Sequence, residues 1–535
     1  MASKIKKQNS SFSGICNDYT FYRIYRSYNI LITEVHTDLA KSSPVTYPPG
    51  PSSRLPLNLF FNFLRDPLTV LHNLSKEYGD ISHFKFIGQH IYLINHPDYI
   101  KDVLVTYNNN FIKSRGLQLA RRILGEGLLT SEGEIHHSQR ELIRPVFQPD
   151  EVSSYANIMT DYALDTSNRW NDHHSNIDIH REFMHMTLAI VSKAFFNVSI
   201  EESETKEIDQ YVTTLIEYFN RARIPFAGII EKLPLPNNMR FRHAKKQLDT
   251  IIYRIIDSHR RNSNSNHHNK QDRSYPHKDL ISLLLQGQTN GYISVNENNK
   301  SANNKRNKKI HNIIINNNNN NTNNKQQLRD NVITILLAGH ETVANALTWT
   351  FYLLSQNPKE EKMLHEEVDS VLDGDDHTVP TVRDIPKLEY TERVFAESMR
   401  LYPPAWAIGR QATNDCKIGD YVIPAGSSIL MSQYLMHHDP RYFPEPERFD
   451  PERWNPQEKA KRPRFSYFPF GGGPRSCIGE PFAWIEGISV IATIARSWKM
   501  RIMPGHPVIL QPLVTLRPKY GMQMRLIDRN NVAHI

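Results

Sequence analysis

The apolar residues of this chain recur mostly at the spacing of α-helices. One series follows the helix-breaking Leu233-Pro234-Leu235-Pro236 and occupies a single helical face: Phe241, Ala244, Leu248, Ile251, Ile252 and Ile255. Farther along, the mostly apolar segment 326–356 predicts a helix about 45 Å long, since a helix rises roughly 1.5 Å per residue. A helix of that length crosses a whole domain. The pattern therefore predicts a mainly α-helical protein.

Runs typical of β-strands are few. A helical pattern from Pro67 leads into two apolar and β-branched runs, residues 81–87 and 91–94, which flank Gly88 and predict a β-hairpin. We therefore expect a small β region beside the helices.

Polar stretches divide the chain. Residues 1–46 form a polar leader, and the stiff Tyr47-Pro48-Pro49-Gly50-Pro51 predicts the start of a single domain over 47–535. Residues 258–278 and 287–325 are rich in Asn, His, Lys and Ser. They can bury too little apolar surface to offset the conformational entropy lost on ordering. They predict two flexible loop insertions around a helix at 279–286. An asparagine-rich interaction segment is the alternative.

Composition narrows the class of protein. With 39% hydrophobic and 22% charged residues among 535, the chain is ordinary globular material. The net charge of +8 is modest for this length and is partly carried by the flexible stretches, so we expect no nucleic-acid partner. No apolar run reaches the ~18 residues of a membrane span or forms a signal-peptide core. Because three polar residues interrupt the nearest candidate, residues 19–33, we expect no transmembrane anchor.

The cysteines argue for a reducing compartment. Cys16, Cys416 and Cys477 are far apart and form no C-x-x-C pair, which argues against a disulfide framework and a zinc site. We therefore expect a cytoplasmic protein.

One cysteine, Cys477, ends a glycine-rich loop that also carries Arg475. Glycines in this loop can adopt φ > 0 and let the backbone pass close to a flat ligand: Gly471, Gly472, Gly473 and Gly479. Pro481 suits the first turn of a following helix, whose dipole favours an anionic sulfur just before its N-terminus. A lone cysteine is more often a small buried apolar side chain, but this setting favours a thiolate that binds metal.

The segment Phe470-x-x-Gly473-x-Arg475-x-Cys477-x-Gly479 resembles the haem-binding signature of the cytochrome P450 family. The resemblance implies haem b (iron protoporphyrin IX), with Cys477 as the iron ligand, Arg475 on a propionate, Phe470 beside the sulfur, and Gly471 and Gly479 against the ring. The competing nucleotide-binding loop needs a preceding strand and a third glycine where Ser476 and Cys477 stand.

The middle of segment 326–356 carries a second motif, Ala338-Gly339-His340-Glu341-Thr342. Glycine inside a helix costs about 1 kcal/mol relative to alanine, and small residues there would form a groove for a flat ligand. The Thr342 hydroxyl can bond the Ala338 carbonyl and bend the helix. A core helix with a packing glycine is the alternative. The motif resembles the oxygen-activating helix of cytochrome P450, which implies that Glu341 and Thr342 organise water and supply protons, whereas His340 receives no role.

Further pieces follow the family's order. Glu397, Arg400 and Arg453 resemble its structural Glu-Arg-Arg triad, with Arg448 as the alternative to Arg453. Arg410 follows an apolar run where family members hold a propionate. His136 and Arg140 resemble a Trp-x-x-x-Arg pair near the propionates, with histidine in place of tryptophan.

The resemblance implies a mainly α cytochrome P450 fold with haem between a long central helix and a Cys-bearing loop. The implied activity is a haem-thiolate monooxygenase that inserts one oxygen atom of O2 into a lipophilic substrate. Predicted pocket walls comprise residues 117–128, Ile335, Leu336, Ala338 and residues 405–408. A haem-thiolate isomerase or dehydratase, or a non-catalytic haem sensor or carrier, are the alternatives.

Electrons would come from a separate partner of the ferredoxin, flavodoxin or reductase type, because the resemblance leaves no part of the chain for a flavin or iron–sulfur domain. Basic residues before the haem loop would help an acidic carrier dock, or are merely solvated: Lys459, Lys461, Arg462 and Arg464. We expect a monomer.

Overall fold

The computed structural model describes residues 46–51, 56–86, 88–172, 176–222, 233–265, 280–289, 321–373 and 379–529. Pro48–Ile535 form one compact unit. The predicted leader, apart from residue 46, and most of the two asparagine-rich segments lie outside the described residues.

Helices dominate the described chain. In chain order they are α1 (Pro56–Arg65), α2 (Pro67–Tyr78), α3 (Pro97–Lys101), α4 (Arg115–Leu124), α5 (Gly133–Ile143), α6 (Pro149–Ser154), α7 (Ala156–Asp172), α8 (Ile179–Phe196), α9 (Glu202–Ala222), α10 (Pro236–Ser265), α11 (Leu280–Thr289), α12 (Asn321–Gln356), α13 (Pro358–Leu372), α14 (Glu389–Leu401), α15 (Gln433–His437), α16 (Pro456–Ala460) and α17 (Glu480–Ser497). The prediction of a mainly α-helical fold is confirmed.

The predicted loop boundaries were wrong where helices continue into them. Helix α10 runs to Ser265 rather than ending before 258, α11 extends to Thr289, and α12 already begins at Asn321. Once a packed apolar face has nucleated a helix, each added residue gains a hydrogen bond, so weak helix formers such as Asn and Ser are carried along.

The strands of the described residues form four small sheets. They are β1 (Ile81–Phe86), β2 (Gln89–Ile94), β3 (Phe111–Lys113), β4 (Asn176–Asp178), β5 (Ile408–Ala412), β6 (Cys416–Ile418), β7 (Tyr421–Ile423), β8 (Ser428–Met431), β9 (Trp498–Ile502), β10 (Leu510–Pro512), β11 (Leu516–Pro518) and β12 (Gln523–Asp528). The largest sheet has the order β1-β2-β8-β5-β3, and the predicted hairpin is its β1-β2 pair, in which Ile81 faces Ile94.

The long helix α12 lies at the centre of the core. It packs along α8, where Phe183 and Phe351 have ring centroids 5.5 Å apart. The fully buried Trp349 donates its indole N–H to the Leu516 carbonyl at 3.0 Å, which joins α12 to β11. Among the described residues, none of the helices has both the length and the apolar character to cross a membrane.

Candidate active site

The cysteine loop and the middle of α12 line one cavity of about 1350 Å³, to which Cys477, Ala338 and Thr342 all contribute. Apolar side chains from several helices form much of the remaining wall, including Leu117, Ile123, Val212, Ile216, Ile335 and Trp406. Leu336, one of the predicted wall residues, instead lies fully buried in the core. The tertiary structure therefore brings together the two motifs that the sequence separates by more than a hundred residues.

The loop before α17 presents the Cys477 sulfur to this cavity. Gly471 and Gly473 have φ of +73° and +70°, and a Cβ at Gly473 would lie 2.0 Å from the Leu104 carbonyl oxygen. Gly472 and Gly479 have negative φ, so the expectation of φ > 0 was wrong for them. The Cys477 N–H donates to the Phe470 carbonyl at 2.9 Å, which fixes the turn.

Two opposing effects act on the Cys477 thiol. Its position deep inside the protein raises its pKa, and the charge of Glu480 adds to that effect, whereas the Gly479 N–H and the Arg140 charge lower it. The net effect is a raised pKa, because burial outweighs the two effects that lower it. The sulfur is nevertheless accessible from the cavity. The thiol is therefore neutral until a metal ion displaces its proton, and metal binding would release that proton.

Six basic side chains belong to the described wall of the cavity, and three of them lie close enough to affect one another's charge: Lys113, Arg410 and Arg475. Arg475 pairs with Glu132 at 3.0 Å. Arg410 is 7% exposed, and burial together with the charge of Arg475 lowers its pKa to about 10. Two arginines and a partly protonated lysine beside one carboxylate leave excess positive charge in a partly desolvated site, which suits a ligand with two carboxylates.

Sequence reasoning missed Lys113. Its Nζ donates to the carbonyl oxygens of Leu128 and Ser131 at 3.0 and 2.6 Å, and burial is the main reason that its pKa falls to about 7. A lysine that follows two apolar residues in a short strand gives no sign in the sequence that it is buried at the wall of a cavity. Only the packing of β3 against the segment after α4 reveals it.

His136 and Arg140 do not line the cavity among its described wall residues. Arg140 donates to the Ser476 carbonyl at 2.9 Å and so supports the cysteine loop from outside. His136 is half-buried, and burial together with the charges of Lys113 and Arg475 lowers its pKa to about 4. Arg140 therefore contacts the cysteine loop, whereas His136 lies near two of the basic residues of the cavity wall.

The motif on α12 has a geometry suited to holding a proton donor. The Thr342 hydroxyl donates to the Ala338 carbonyl at 2.9 Å, as predicted. Gly339 also lines the cavity, but a Cβ there would lie 2.9 Å from Val191, so close packing of α8 already requires glycine. The structure therefore supports both interpretations of Gly339, as part of the cavity wall and as a packing residue of the core.

Glu341 lies 4% exposed beside Arg517 and Thr515. Arg517 Nε donates to Glu341 Oε1 at 2.7 Å, and the Thr515 hydroxyl donates to the same oxygen. Burial raises the pKa of Glu341, but the Arg517 charge and these hydrogen bonds outweigh burial and lower it. Glu341 is therefore ionised at neutral pH.

The predicted structural triad is present. Arg400 binds Glu397 through two bonds of 2.8 and 2.9 Å, and Arg453 Nε lies 3.4 Å from Glu397 Oε1. Trp454 donates its indole N–H to the other carboxylate oxygen at 2.9 Å. Arg448, the alternative, pairs instead with the exposed Glu445.

Loop 125–131, which contributes Leu129 to the cavity wall, is bound to α12. The Asp330 carboxylate accepts the Glu126 N–H at 2.9 Å. A Cβ at Gly125, where φ is +61°, would lie 2.0 Å from that carboxylate. Both the backbone conformation and the close approach therefore require glycine.

The buried Arg329 joins three elements around this loop. Its Nε lies 2.8 Å from Asp249 on α10, and its Nη1 lies 3.0 Å from Asp330 on α12 and 2.8 Å from the Ile123 carbonyl at the end of α4. One guanidinium thus holds one wall of the cavity in place.

These observations fit haem. An accessible thiol, a cationic edge and an apolar cavity are the features that an iron porphyrin with two propionates needs. Among the described residues, no group of three or more His, Cys, Asp or Glu side chains could hold a metal ion.

Comparisons with known proteins give the same class. The model of the family described as cytochrome P450 matches residues 48–524. Cyclooctatin synthase from Streptomyces melanosporofaciens is 34% identical over 84% of this chain and 89% of its own. Cyclooctat-9-en-7-ol 5-monooxygenase from the same organism is 31% identical over 89% and 94%, and pentalenene oxygenase from Streptomyces avermitilis is 28% identical over 88% and 94%.

The chain therefore belongs to the cytochrome P450 family, which confirms the resemblance. It is a monooxygenase of that family, with haem iron as its cofactor.

Proposed function

We propose that this protein carries haem b on Cys477 and hydroxylates a lipophilic cyclic terpenoid with electrons from a separate donor. The observation that carries the proposal is that Cys477 and Thr342 line the same largely apolar cavity. Three similar proteins have names that refer to terpenoids, which supports the substrate class. The cavity volume of about 1350 Å³ leaves room for such a molecule beside the cofactor.

Residues of this chain would hold the cofactor at two ends. Cys477 would supply the thiolate, and Lys113, Arg410 and Arg475 would bind the propionates. Haem, when bound, supplies an iron centre at which a thiolate ligand favours cleavage of the O–O bond of dioxygen. The apolar wall would orient the substrate and exclude water.

Glu341 and Thr342 would hold the proton supply. Thr342 Oγ1, which already bonds the Ala338 carbonyl, presents a hydroxyl to the cavity. Glu341 keeps an ionised carboxylate next to it that can accept a proton from water and pass it on. An isomerase or dehydratase would need no such pair.

The electron donor would dock near the cysteine loop, with Lys459 and Arg464 exposed there. Arg462 has a structural role instead, because it stacks over Trp454 at 4.8 Å and donates to the Arg453 carbonyl at 2.7 Å. We therefore assign docking to the other basic residues of this stretch.

The test has two stages. The dithionite-reduced protein should show the strongly red-shifted Soret band of thiolate-ligated haem when carbon monoxide is added. With a ferredoxin, its reductase and a panel of terpenoid hydrocarbons and alcohols, oxygenated product should form and take its oxygen from labelled O2. A histidine-like spectrum would favour a sensor or carrier, whereas conversion without label from O2 would favour an isomerase or dehydratase.

A further inference from the structure

We propose that the protons for this reaction enter from a polar cleft on the protein surface, separate from the substrate cavity, and reach Glu341 through a buried polar seam that contains His340, Arg517 and Thr213. The inference rests on the proposed function and adds a supply route to the site. A largely apolar cavity filled by a hydrocarbon admits little water, so a route that does not pass the substrate is needed.

The cleft lies where α8 and α9 meet. Its volume is about 410 Å³, and charged and hydroxyl side chains line it, among them Arg181, Lys206, Asp209 and Thr213. It shares none of its lining residues with the large cavity among the described residues, although the neighbouring Val212 lines that cavity. Helix α9 thus lies between the two spaces and contributes wall residues to both.

Arg517 bridges the cleft and the cavity. Its Nε donates to Glu341 at 2.7 Å, and its Nη1 donates to the Thr213 hydroxyl at 3.4 Å. Glu341 belongs to the cavity wall and Thr213 to the cleft wall, whereas Arg517 is 6% exposed and lies between them. Because a guanidinium keeps its proton at all ordinary pH values, Arg517 positions Glu341 and water rather than relaying a proton itself.

Two buried atoms in this seam have no hydrogen-bond partner in the part of the chain that the structure describes. The His340 ring is fully buried and bonds the Leu336 carbonyl through Nδ1 at 2.8 Å, which makes Nδ1 the donor. Its Nε2 is then an acceptor, and both this atom and Arg517 Nη2 have no hydrogen-bond partner among the described residues. Buried polar atoms of this kind are usually satisfied by ordered water, so the seam is expected to hold water on these two atoms.

A second line of hydrogen bonds reaches the same carboxylate. His180 Nε2 lies 3.2 Å from Asn345 Oδ1, the Asn345 amide donates to the Thr515 hydroxyl at 3.2 Å, and that hydroxyl donates to Glu341. An amide does not pass protons readily, so this line holds Glu341 in place. Water in the seam would instead carry the protons.

Charged side chains from three elements act on the two buried histidines of the seam, His340 and His180. Asp209 of α9 and Asp178 of β4 supply negative charge, and Arg517 of β11 supplies positive charge. Burial lowers the pKa of His340 and of His180, so both rings are neutral at neutral pH. Asp209 lines the cleft, so its carboxylate can hold water at the entry of the route.

Thr213→Val tests the route, and Thr214→Val is the matched control. Thr214 also lines the cleft, but its hydroxyl bonds the Gln210 carbonyl of its own helix. With pentalenene as the probe, or whichever cyclic terpenoid turns over, Thr213→Val should raise the peroxide released per electron pair about threefold and increase the solvent isotope effect. The spectral dissociation constant of the probe should stay within about twofold, because no group that faces the cavity has changed. Equal values for the two variants would overturn the proposal.

A second measurement does not depend on turnover. A high-resolution crystal structure should place water on His340 Nε2 or Arg517 Nη2, and Thr213→Val should displace or disorder it. A dry seam in the wild-type protein would overturn the route even if the enzyme is active. Failure of the wild-type protein to oxygenate any terpenoid would refute the proposed function instead, while the water positions would still decide on the seam.

Discussion

The amine of Lys113 lies 2.6 Å from the carbonyl oxygen of Ser131, inside the protein. Burial, helped by the charges of Arg475 and Arg410, lowers the lysine pKa from its ordinary 10.5 to about 7. Lys113 thereby joins the loop after α4 to the cationic edge of the cavity.

This pKa predicts a pH dependence of stability in the cofactor-free protein. Between about pH 7 and 10 the unfolded chain binds more protons at Lys113 than the folded chain, so this residue's contribution to stability rises with pH. Lys113→Met should remove about 2 kcal/mol of the increase seen by urea unfolding between about pH 7 and 9.5. Parallel curves of unfolding free energy against pH for the wild type and the variant would contradict a buried Lys113 with a lowered pKa.

Cys477→Ala should abolish thiolate-ligated haem. With no sulfur in the cavity, the reduced protein should lose the red-shifted carbon monoxide band, while its far-ultraviolet circular dichroism stays unchanged. Cys416→Ala is the control, since this half-exposed thiol does not line the cavity. A normal band from the Cys477 variant would refute the ligand assignment.

Thr342→Ala should uncouple electron use from product. Loss of the hydroxyl removes a proton donor from the cavity, so we expect peroxide per product to rise by about three- to tenfold at an unchanged rate of electron consumption. Thr348→Ala is the control, because Thr348 makes the same bond to the carbonyl four residues earlier, at 2.7 Å, away from the cavity wall. Unchanged coupling in the Thr342 variant would show that its hydroxyl has no part in proton supply.

Arg329→Gln should loosen the cavity wall. It leaves Asp249 and Asp330 without their buried cation, which should cost about 3 kcal/mol of unfolding free energy. The same variant should give more than one product from a terpenoid that the wild type oxidises at a single carbon. Lys245→Gln removes a more exposed cation 3.6 Å from the same Asp249 and should do neither. Similar effects of both substitutions would mean that Arg329 acts only as a surface charge.

Arg453→Gln and Arg448→Gln separate the two neighbouring arginines. Arg453 faces the buried Glu397, so its loss should lower the unfolding free energy by about 2 kcal/mol and reduce haem retention. The Arg448 side chain is 59% exposed, and its replacement should cost less than about 0.5 kcal/mol. Equal urea midpoints would remove Arg453 from the triad.

Local patterns predicted a large part of the fold and of the site. The apolar face after Leu235 predicted α10, and the runs around Gly88 predicted the β1-β2 hairpin, because spacing along the chain encodes which face is buried. The ends of α10 and α12 were missed because hydrogen-bond propagation, not residue preference, decides where a packed helix stops.

The sequence by itself determined the chemistry of the site, since the cysteine loop and the motif on α12 are each contiguous and their residue types limit what they can bind. Only the tertiary structure decided which distant side chains complete the site. Four such side chains come from separate elements: Lys113, Glu132, Arg329 and Arg517. Their spacing along the chain does not indicate that they lie near the site in the folded protein. Ion pairs and buried hydrogen bonds depend on distances of a few ångströms in space, and those distances exist only after the helices and sheets have packed.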